Sequence, residues 1–250
     1  MKLSVIDKPR GLVLYKGPSL LDGKSIVCIA TGLLDTSANI KTGKMIQTWI
    51  LLQNMTPTDG VKKDKDYSIC GDCKHREWDT CYVNVAQGPY SVYGAYKRGI
   101  YTDARKDKSL YNSFDSRLVR FGAYGDPAAV PTEIWADIAK RSSGHTGYTH
   151  QWKTCDQKLK DYCMASVDTE KEFNQARNKK WRTFRVHGAG TPLLDKEFEC
   201  PASKEQGYRT TCSACLACDG GEFNGKGTVA IVVHGISFKS KRFIENIAHV

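Results

Sequence analysis

The sequence predicts an α/β fold, with a partial (β/α) barrel-like domain, an N-terminal β extension and two cysteine-rich metal-binding loops. From residue 118 onward, short apolar segments alternate with stretches of helical periodicity, as in β–α units. Before residue 65, two strand-like runs flank a polar turn. Seven of the ten cysteines fall at 70–81 and 200–218. We expect residues 1–65 and 66–250 to form one integrated unit.

The composition is that of a globular chain and excludes two classes of protein. With 40% hydrophobic and 26% charged residues, the 250 residues bury a sizeable core, unlike a disordered chain. The longest apolar runs, such as 229–233, are far shorter than the roughly 20 residues of a membrane-spanning helix. Charged residues interrupt residues 1–10 too early for a secretory signal. We therefore expect no membrane association, no export and a cytoplasmic location.

Two strands are predicted in the N-terminal β extension. The runs 25–30 and 45–52 are apolar, and the polar stretch 37–43 between them is typical of a turn. They form a hairpin or an extension at a sheet edge. In the following segment, 89–115, tyrosines alternate with lysines and arginines, and this pattern predicts a helix and then a basic loop.

Apolar segments predict the strands of the α/β domain. These segments cover residues 118–124, 146–152, 162–167, 181–186, 198–200 and 228–233. Thr132 is expected to cap a helix that contains Trp135, and Asp168 or Thr169 to cap a later one. No low-complexity linker divides these segments, which favours a single domain.

Polar residues at or near the carboxyl ends of these segments are candidates for catalysis. Loops converge at this end of a parallel sheet, and helix N-termini there favour anions. The catalytic candidates are Asp126, His145, His150 and His187. Asp168, Cys200 and His234 occupy similar positions. A helix cap is the alternative for Asp168, and a buried histidine at the core edge is the alternative for His187.

The second cysteine group consists of Cys200, Cys212, Cys215 and Cys218. Steps of two residues let a turn bring consecutive sulfurs to one metal centre, and four thiolates complete either tetrahedral zinc or a 4Fe-4S cluster. Pro201 and the short steps favour iron–sulfur over zinc. Unligated buried or redox-active thiols are the alternative.

The first cysteine group consists of Cys70, Cys73 and Cys81, with His75 between them. With His75 as fourth ligand, the group forms a closed zinc site. Without it, the three thiolates hold an iron–sulfur cluster through three irons and leave the fourth open for a substrate or cofactor. A third alternative is a set of thiols in a loop near solvent.

Several phrases of this sequence resemble an uncharacterised family of cysteine-cluster proteins carried by bacteriophages and their hosts. The phrases are Cys-Gly-Asp-Cys-Lys-His-Arg, Cys-Tyr-Val-Asn-Val-Ala-Gln-Gly-Pro, Tyr-Gly-Asp-Pro-Ala-Ala-Val-Pro, Gly-His-Thr-Gly-Tyr-Thr-His-Gln-Trp, Met-Ala-Ser-Val-Asp and Cys-Pro-Ala-Ser. They are spread over most of the chain. A phage relationship implies the host cytoplasm as location and nucleic acid or a nucleotide as the natural substrate.

More distantly, the layout resembles the radical SAM barrel. A cysteine loop comes first, barrel strands follow, and a further cysteine group lies near the C-terminus. The resemblance implies an iron–sulfur cluster and S-adenosylmethionine on Cys70, Cys73 and Cys81. That family's cysteines are separated by three and two residues, whereas here the steps are two and seven residues. The Gly-Gly-Glu at 220–222 follows the second cysteine group instead of the second barrel strand, and is not carried over.

The net charge of +10 indicates an anionic partner and fits two functions. In an enzyme, the open cluster works with the catalytic candidates on a bound anionic substrate, and the chemistry is electron transfer. In a binding protein, zinc only staples loops. Phosphates then contact the basic residues Lys97, Arg98, Arg105 and Lys106. Tyrosines of 89–111 stack on bases or, alternatively, form the apolar face of a helix with solvated basic neighbours. A serine nucleophile elbow and a phosphate-binding P-loop are both missing.

Overall fold

The fold is taken from a computed structural model, which describes residues 9–34, 40–77 and 79–249. The start of the chain and the first part of the predicted turn at 37–43 lie outside these residues. The strands are β1 (Gly11–Pro18), β2 (Ser25–Thr31), β3 (Ile46–Leu52), β4 (Thr102–Asp103), β5 (Leu118–Tyr124), β6 (Gly144–Thr146), β7 (Tyr148–Thr149), β8 (Met164–Val167), β9 (Thr183–His187), β10 (Glu197–Glu199) and β11 (Thr228–Val232). The helices are α1 (Pro57–Lys62), α2 (Tyr67–Cys70), α3 (Lys74–Glu77), α4 (Gly88–Lys97), α5 (Thr132–Arg141), α6 (Glu170–Asn178), α7 (Cys212–Cys215) and α8 (Ser237–Ile247).

The first sheet combines an antiparallel and a parallel part in the order β4-β1-β2-β3-β5-β6. β2 pairs antiparallel with both β1 and β3, while β3 pairs parallel with β5, and β5 with β6. The predicted pairing of the two N-terminal strands is therefore confirmed. β1, which the sequence did not predict, pairs with β2 on the side away from β3.

The second sheet is parallel throughout, with the order β10-β11-β9-β8-β7. It meets the first sheet at Gly147, the one residue between β6 and β7. A Cβ atom at Gly147 would lie 2.8 Å from Cys163 Sγ and 3.0 Å from the Tyr162 carbonyl oxygen. Only glycine therefore fits this junction. The α/β class is confirmed, with mostly parallel strands in two sheets.

Large apolar side chains fill the core beside the sheets. Trp135 of α5, Trp152 and Trp181 are almost completely buried, and Phe121 of β5 packs against Trp135 with ring centroids 4.9 Å apart. Parallel strands buried on both faces are typical of sheets covered by helices. The hydrophobic effect of this burial is the main stabilising contribution to the fold.

The predicted helix boundaries are confirmed in part. α4 begins at Gly88, as the tyrosine-rich segment predicts, and Thr169 caps α6 by accepting a hydrogen bond from the Glu172 N–H. The prediction for Thr132 is wrong by one residue, because Thr132 is already helical and Pro131 occupies the cap. Proline there has a fixed backbone angle and leaves Thr132 free to begin the helix. No helix in the described ranges is long and apolar enough to cross a membrane.

Candidate functional site

A cavity of about 250 Å³, here called the central cavity, lies against one face of both sheets. Strand side chains that line it are Arg120, Thr146, Tyr148, Ser166, Phe184, Val186 and Ile231. They come from β5, β6, β7, β8, β9 and β11, so both sheets face the same space. His75, Thr80 and Tyr82 from the loop of the first cysteine group also line it, as does Cys212 of the second group. The central cavity thus lies between Cys212 and the loop that carries the first cysteine group, although Cys70, Cys73 and Cys81 are not part of its lining.

The loop of the first cysteine group is fixed by two contacts at its base. Gly71 ends α2 with a backbone φ of 57° and ψ of −140°, a conformation that glycine alone adopts without strain. Gln151 packs against it and donates a hydrogen bond to the Cys70 carbonyl oxygen at 3.1 Å. Arg76 of α3 donates to Asp66 Oδ1 at 2.8 Å, which ties the end of the loop to its beginning.

The three thiols of the first cysteine group lie near one another. Burial raises the pKa of Cys70 well above its ordinary value, and the charges of Cys73 and Cys81 raise it further. Burial likewise raises the pKa of Cys73 and of Cys81 to about 11. The Tyr124 hydroxyl is buried beside Cys70 and has no hydrogen-bond partner among the described residues. Neutral thiols are thus favoured unless a cation offsets the cost of their ionisation.

His75 does not join these thiols as a ligand in this arrangement. Its Nδ1 lies 2.9 Å from Thr80 Oγ1 and its Nε2 lies 3.3 Å from Asp168 Oδ1, so both ring nitrogens face oxygen partners. Burial alone would raise the pKa of Asp168, but the hydrogen bond and charge of His75 hold it below its ordinary value. The Cys₃His site considered from the sequence is therefore not the geometry found here.

Asp126 and His150 lie at the carboxyl ends of β5 and β7, as predicted. Asp126 accepts hydrogen bonds from Thr149 Oγ1 at 2.7 Å and from the N–H groups of His150 and Ala128 at 2.8 and 2.9 Å. Burial nevertheless raises the pKa of Asp126. His150 lines the central cavity, and its ring lies 5.5 Å from that of His75. Asp126 thus positions the backbone that presents His150.

The other two catalytic candidates lie outside the central cavity. His145 of β6 lies between the rings of Phe121 and Tyr162, where burial lowers its pKa. His187 of β9 is buried with Nε2 3.0 Å from Glu199 Oε1. In a strand, neighbouring residues point to opposite faces, and these two histidines alternate with Thr146 and Val186 of the cavity wall. The structure therefore does not bring all four candidates together.

The four thiols of the second cysteine group line a common hollow of about 30 Å³. α7 supplies two of them, and its Cys212 N–H donates to the Lys41 carbonyl oxygen at 2.7 Å. Leu216 then adopts a left-handed conformation with φ of 51°, which ends the helix and returns the chain to the hollow. Burial raises the pKa of Cys218 to about 12, and the other three thiols of the group add to the increase.

Arg182 holds the loop that carries Cys218. Its guanidinium donates to the carbonyl oxygens of Ala217, Gly220 and Gly227 at 2.7, 2.6 and 3.1 Å, and it pairs with Asp219. These carbonyls have no strand or helix partner to satisfy them. A single buried side chain therefore replaces regular secondary structure at this end of the second group.

All ten cysteines are free thiols, in agreement with the absence of a predicted disulfide framework. Within residues 9–34, 40–77 and 79–249, no three His, Cys, Asp or Glu side chains are arranged to hold a metal ion. Metal binding by either cysteine group stays a prediction.

The basic residues of segment 89–111 lie near β4, the edge strand at the end of the first sheet away from β6. Lys97, Arg98, Arg105 and Lys106 are exposed. Arg105 pairs with Asp103 at 2.6 Å. Tyr93 and Tyr111 are buried, and only Tyr90 among the five tyrosines is largely exposed, at 48%. The tyrosines mostly pack on the core, as the alternative interpretation of this segment expects.

Arg120 and Tyr148 were not among the sequence candidates. Arg120 stands in the middle of an otherwise apolar strand, and a charge there is costly unless it faces a polar space. A charged residue within an apolar strand could therefore have identified Arg120 from the sequence. No sequence feature distinguishes Tyr148, because aromatic residues are frequent in strands.

Comparison with known proteins finds no relative of this chain. No family model, no curated protein and no solved structure matches it. Its function is therefore inferred from its own residues.

Proposed function

We propose that the protein is an iron–sulfur enzyme, similar in plan to the radical SAM enzymes, that acts on a nucleotide or nucleic acid substrate. The observation that carries the proposal is the position of the central cavity. It is lined by His75, Thr80 and Tyr82 on the side of the first cysteine group and by Cys212 of the second. A substrate in this cavity contacts Cys212 and the loop that carries Cys70, Cys73 and Cys81.

The order of the elements supports a partial barrel of the radical SAM type. β3 and β5 are parallel neighbours in the first sheet, and the first cysteine group lies in the chain between them. Gly125 and Asp126 follow β5, at the place where that family carries Gly-Gly-Glu. The second cysteine group follows β10, near the end of the strand series.

The first cysteine group offers the number of thiols that a cluster open at one iron requires. Its three half-buried cysteines stand apart from His75, both of whose ring nitrogens face Thr80 and Asp168. The partnerless Tyr124 hydroxyl is a donor beside these thiols, and hydrogen bonds to cluster sulfur tune such centres. When bound there, a cluster supplies electrons to a ligand at its open iron. The second group has the four thiols that a closed centre requires, and all four line one hollow.

His150 is the side chain best placed to exchange a proton with a ligand in the central cavity. Its Nε2 is buried and has no hydrogen-bond partner in the part of the chain that the structure describes. Asp126 fixes the His150 backbone, and the His75 ring packs edge-on against it. His150 is thus held in position while one nitrogen stays available.

Electron paramagnetic resonance of the anaerobically purified, reduced protein tests this proposal. We expect an iron–sulfur signal that changes when S-adenosylmethionine is added, also in a variant whose second-group cysteines are all alanine. The matched variant with Cys70, Cys73 and Cys81 replaced by alanine should show no such change. A wild-type iron–sulfur signal that ignores S-adenosylmethionine would contradict the radical SAM plan.

A zinc-stabilised nucleic-acid-binding protein is the second candidate, favoured by the exposed basic residues beside β4. Phosphate contacts release counterions, so binding to a single strand should weaken with salt, with a log–log slope of about −0.7 per phosphate. Replacing Lys97, Arg98, Arg105 and Lys106 together by alanine should remove that binding. Because the tyrosines there are mostly packed in the core, the fold should survive the change. Unchanged binding would exclude this surface.

A further inference from the structure

The central cavity is lined by two cationic side chains, Lys41 and Arg120. Three histidines, His75, His150 and His234, also line it. The lining contains no aspartate or glutamate among the described side chains. Asp168 Oδ1 lies 3.3 Å from His75 Nε2, but Asp168 is not part of the wall. An anion entering the cavity thus meets no acidic side chain in its described lining.

Arg120 is the charged group at the centre of this wall. Its Nη2 donates to the Tyr82 hydroxyl at 2.8 Å, which occupies one of five guanidinium donors. Burial lowers its pKa, but the phenols of Tyr82 and Tyr148 raise it above the ordinary value, so the side chain stays charged.

Arg120 is half-buried and differs from three other buried or half-buried arginines that pair with a carboxylate. Arg117, also half-buried, donates instead to the backbone carbonyls of Leu33 and Gly32. Arg76, Arg182 and Arg185 each pair with a carboxylate, namely Asp66, Asp219 and Glu197. Arg120 has no carboxylate within ion-pair distance in the described ranges, although it stands in the middle of β5. A partly desolvated cation without a counter-ion is costly, and an anionic ligand offsets this cost.

The wall next to Arg120 is apolar and aromatic. Phe184 and Val186 of β9 and Ile231 of β11 face the cavity, and the Phe184 ring lies 4.5 Å from that of Tyr148. This surface suits the carbon skeleton of a ligand. The volume of about 250 Å³ lies just below the range of about 300–1,000 Å³ found for drug-sized ligands, so the occupant is compact.

We infer that the central cavity binds a small organic anion whose carboxylate or phosphate group pairs with Arg120 and whose apolar body packs on Phe184, Val186 and Ile231. Guanidinium matches both groups with two parallel hydrogen bonds. The inference rests on the proposed function only for its identification of this anion as the substrate, or as the part of the substrate that enters the cavity.

Isothermal titration calorimetry with three aromatic probes tests the inference on the anaerobically purified protein. Benzoate and phenyl phosphate carry the two anionic groups, and benzyl alcohol is the neutral control. We expect at least one anion to bind at least tenfold more tightly than benzyl alcohol, and the preferred anion distinguishes a carboxylate from a phosphate site. Equal affinity for all three probes, or no binding of either anion, would overturn the inference.

Variants of Arg120 locate the charge. Arg120→Met should weaken binding of the preferred anion by about 10- to 100-fold, as expected for loss of a charged hydrogen-bonded pair, and leave benzyl alcohol unaffected. Arg120→Lys, which retains the charge, should weaken anion binding less than Arg120→Met does. Arg141→Met on α5, which lies outside the cavity, is the matched control. If Arg120→Met bound the anion as tightly as the wild type does, Arg120 would have no role in binding. Because these readouts need no turnover, they remain valid if the protein contains zinc and the proposed enzyme function fails.

Discussion

Glu172 shows how one side chain connects the first cysteine group to the helix layer. Its Oε1 pairs with Lys74 at 2.8 Å and with Lys153 at 3.0 Å, and its Oε2 accepts the Asp168 N–H at 3.1 Å. Lys74 directly follows Cys73, so these bonds tie the cysteine loop to α6. Burial acts to raise the pKa of Glu172, but the hydrogen bonds from the two lysines and the Asp168 N–H lower it below its ordinary value.

We predict that Glu172→Gln lowers the free energy of unfolding at neutral pH by about 1–2 kcal/mol. A carboxylate with a depressed folded pKa stabilises the fold above its unfolded pKa of about 4.3, and this contribution disappears as the pH falls through the folded value. The difference between wild type and variant should therefore shrink below about pH 4. Urea unfolding at several pH values measures it. Glu133→Gln, an exposed acid in the first turn of α5, is the control, and a pH-independent difference would contradict the prediction.

Arg182 is the corresponding residue of the second cysteine group, where it satisfies three carbonyl groups and one carboxylate. We predict that Arg182→Met destabilises the protein by about 3 kcal/mol, because the carbonyls and Asp219 lose a buried donor. Hydrogen exchange should also become faster at the Gly147 amide, which donates to the Cys218 carbonyl, and at the Gly221 amide of the loop, which donates to the Lys160 carbonyl. Arg98→Met, at the exposed end of α4, should change neither property. Unchanged exchange at both amides would show that Arg182 does not hold the loop.

At the scale of elements, the short helix α2 depends on how it ends. Gly71 has a positive φ, and a Cβ atom there would lie 2.5 Å from the Gln151 side chain. Gly23 also has a positive φ, of 76°, but a Cβ atom there would meet nothing within 4 Å. A residue with a Cβ atom is therefore strained at both positions, but only at Gly71 does the Cβ atom also clash with a neighbouring side chain.

We predict that Gly71→Ala lowers the free energy of unfolding more than Gly23→Ala does. Both changes add a Cβ atom at a positive φ, at a cost of about 1–3 kcal/mol, and the first also displaces Gln151 from the Cys70 carbonyl. Urea unfolding of the two variants compares them directly. Equal losses would mean that the contact with Gln151 contributes nothing to the loop.

The strands were the easiest elements to predict. The hardest feature to predict was which side chains of each strand face the central cavity. Segment 118–124 matches β5 completely, because an apolar run between turn residues has few other interpretations. Periodicity alone cannot say which face of a parallel strand lines a cavity, since both faces are buried. For this reason His145 and His187 looked equivalent to His150 in the sequence. β1 escaped prediction because glycines and a lysine interrupt its apolar pattern.

At the scale of the whole molecule, residue spacing predicted the two cysteine groups but not the space between them. Eleven residues separate Cys200 from Cys212, and the structure brings both to one hollow through β10 and α7. The lining of the central cavity comes from six strands and from the segments that contain Lys41, Thr80, His150, Cys212 and His234. It therefore depends on tertiary contacts that no local pattern records. Arg120 is the clearest example, because it stands out only once the structure shows no carboxylate within ion-pair distance of it among the described residues.

The central claim is that two separate iron–sulfur centres, one on each cysteine group, flank the central cavity. Iron, labile sulfide and zinc analysis of the anaerobically purified protein tests it most directly. Two cubane clusters predict about eight irons and about eight sulfides per chain in the wild type. About four of each should remain when the first group, Cys70, Cys73 and Cys81, is replaced by alanine, and likewise when Cys200, Cys212, Cys215 and Cys218 are replaced. A colourless protein with stoichiometric zinc and no labile sulfide would contradict the claim.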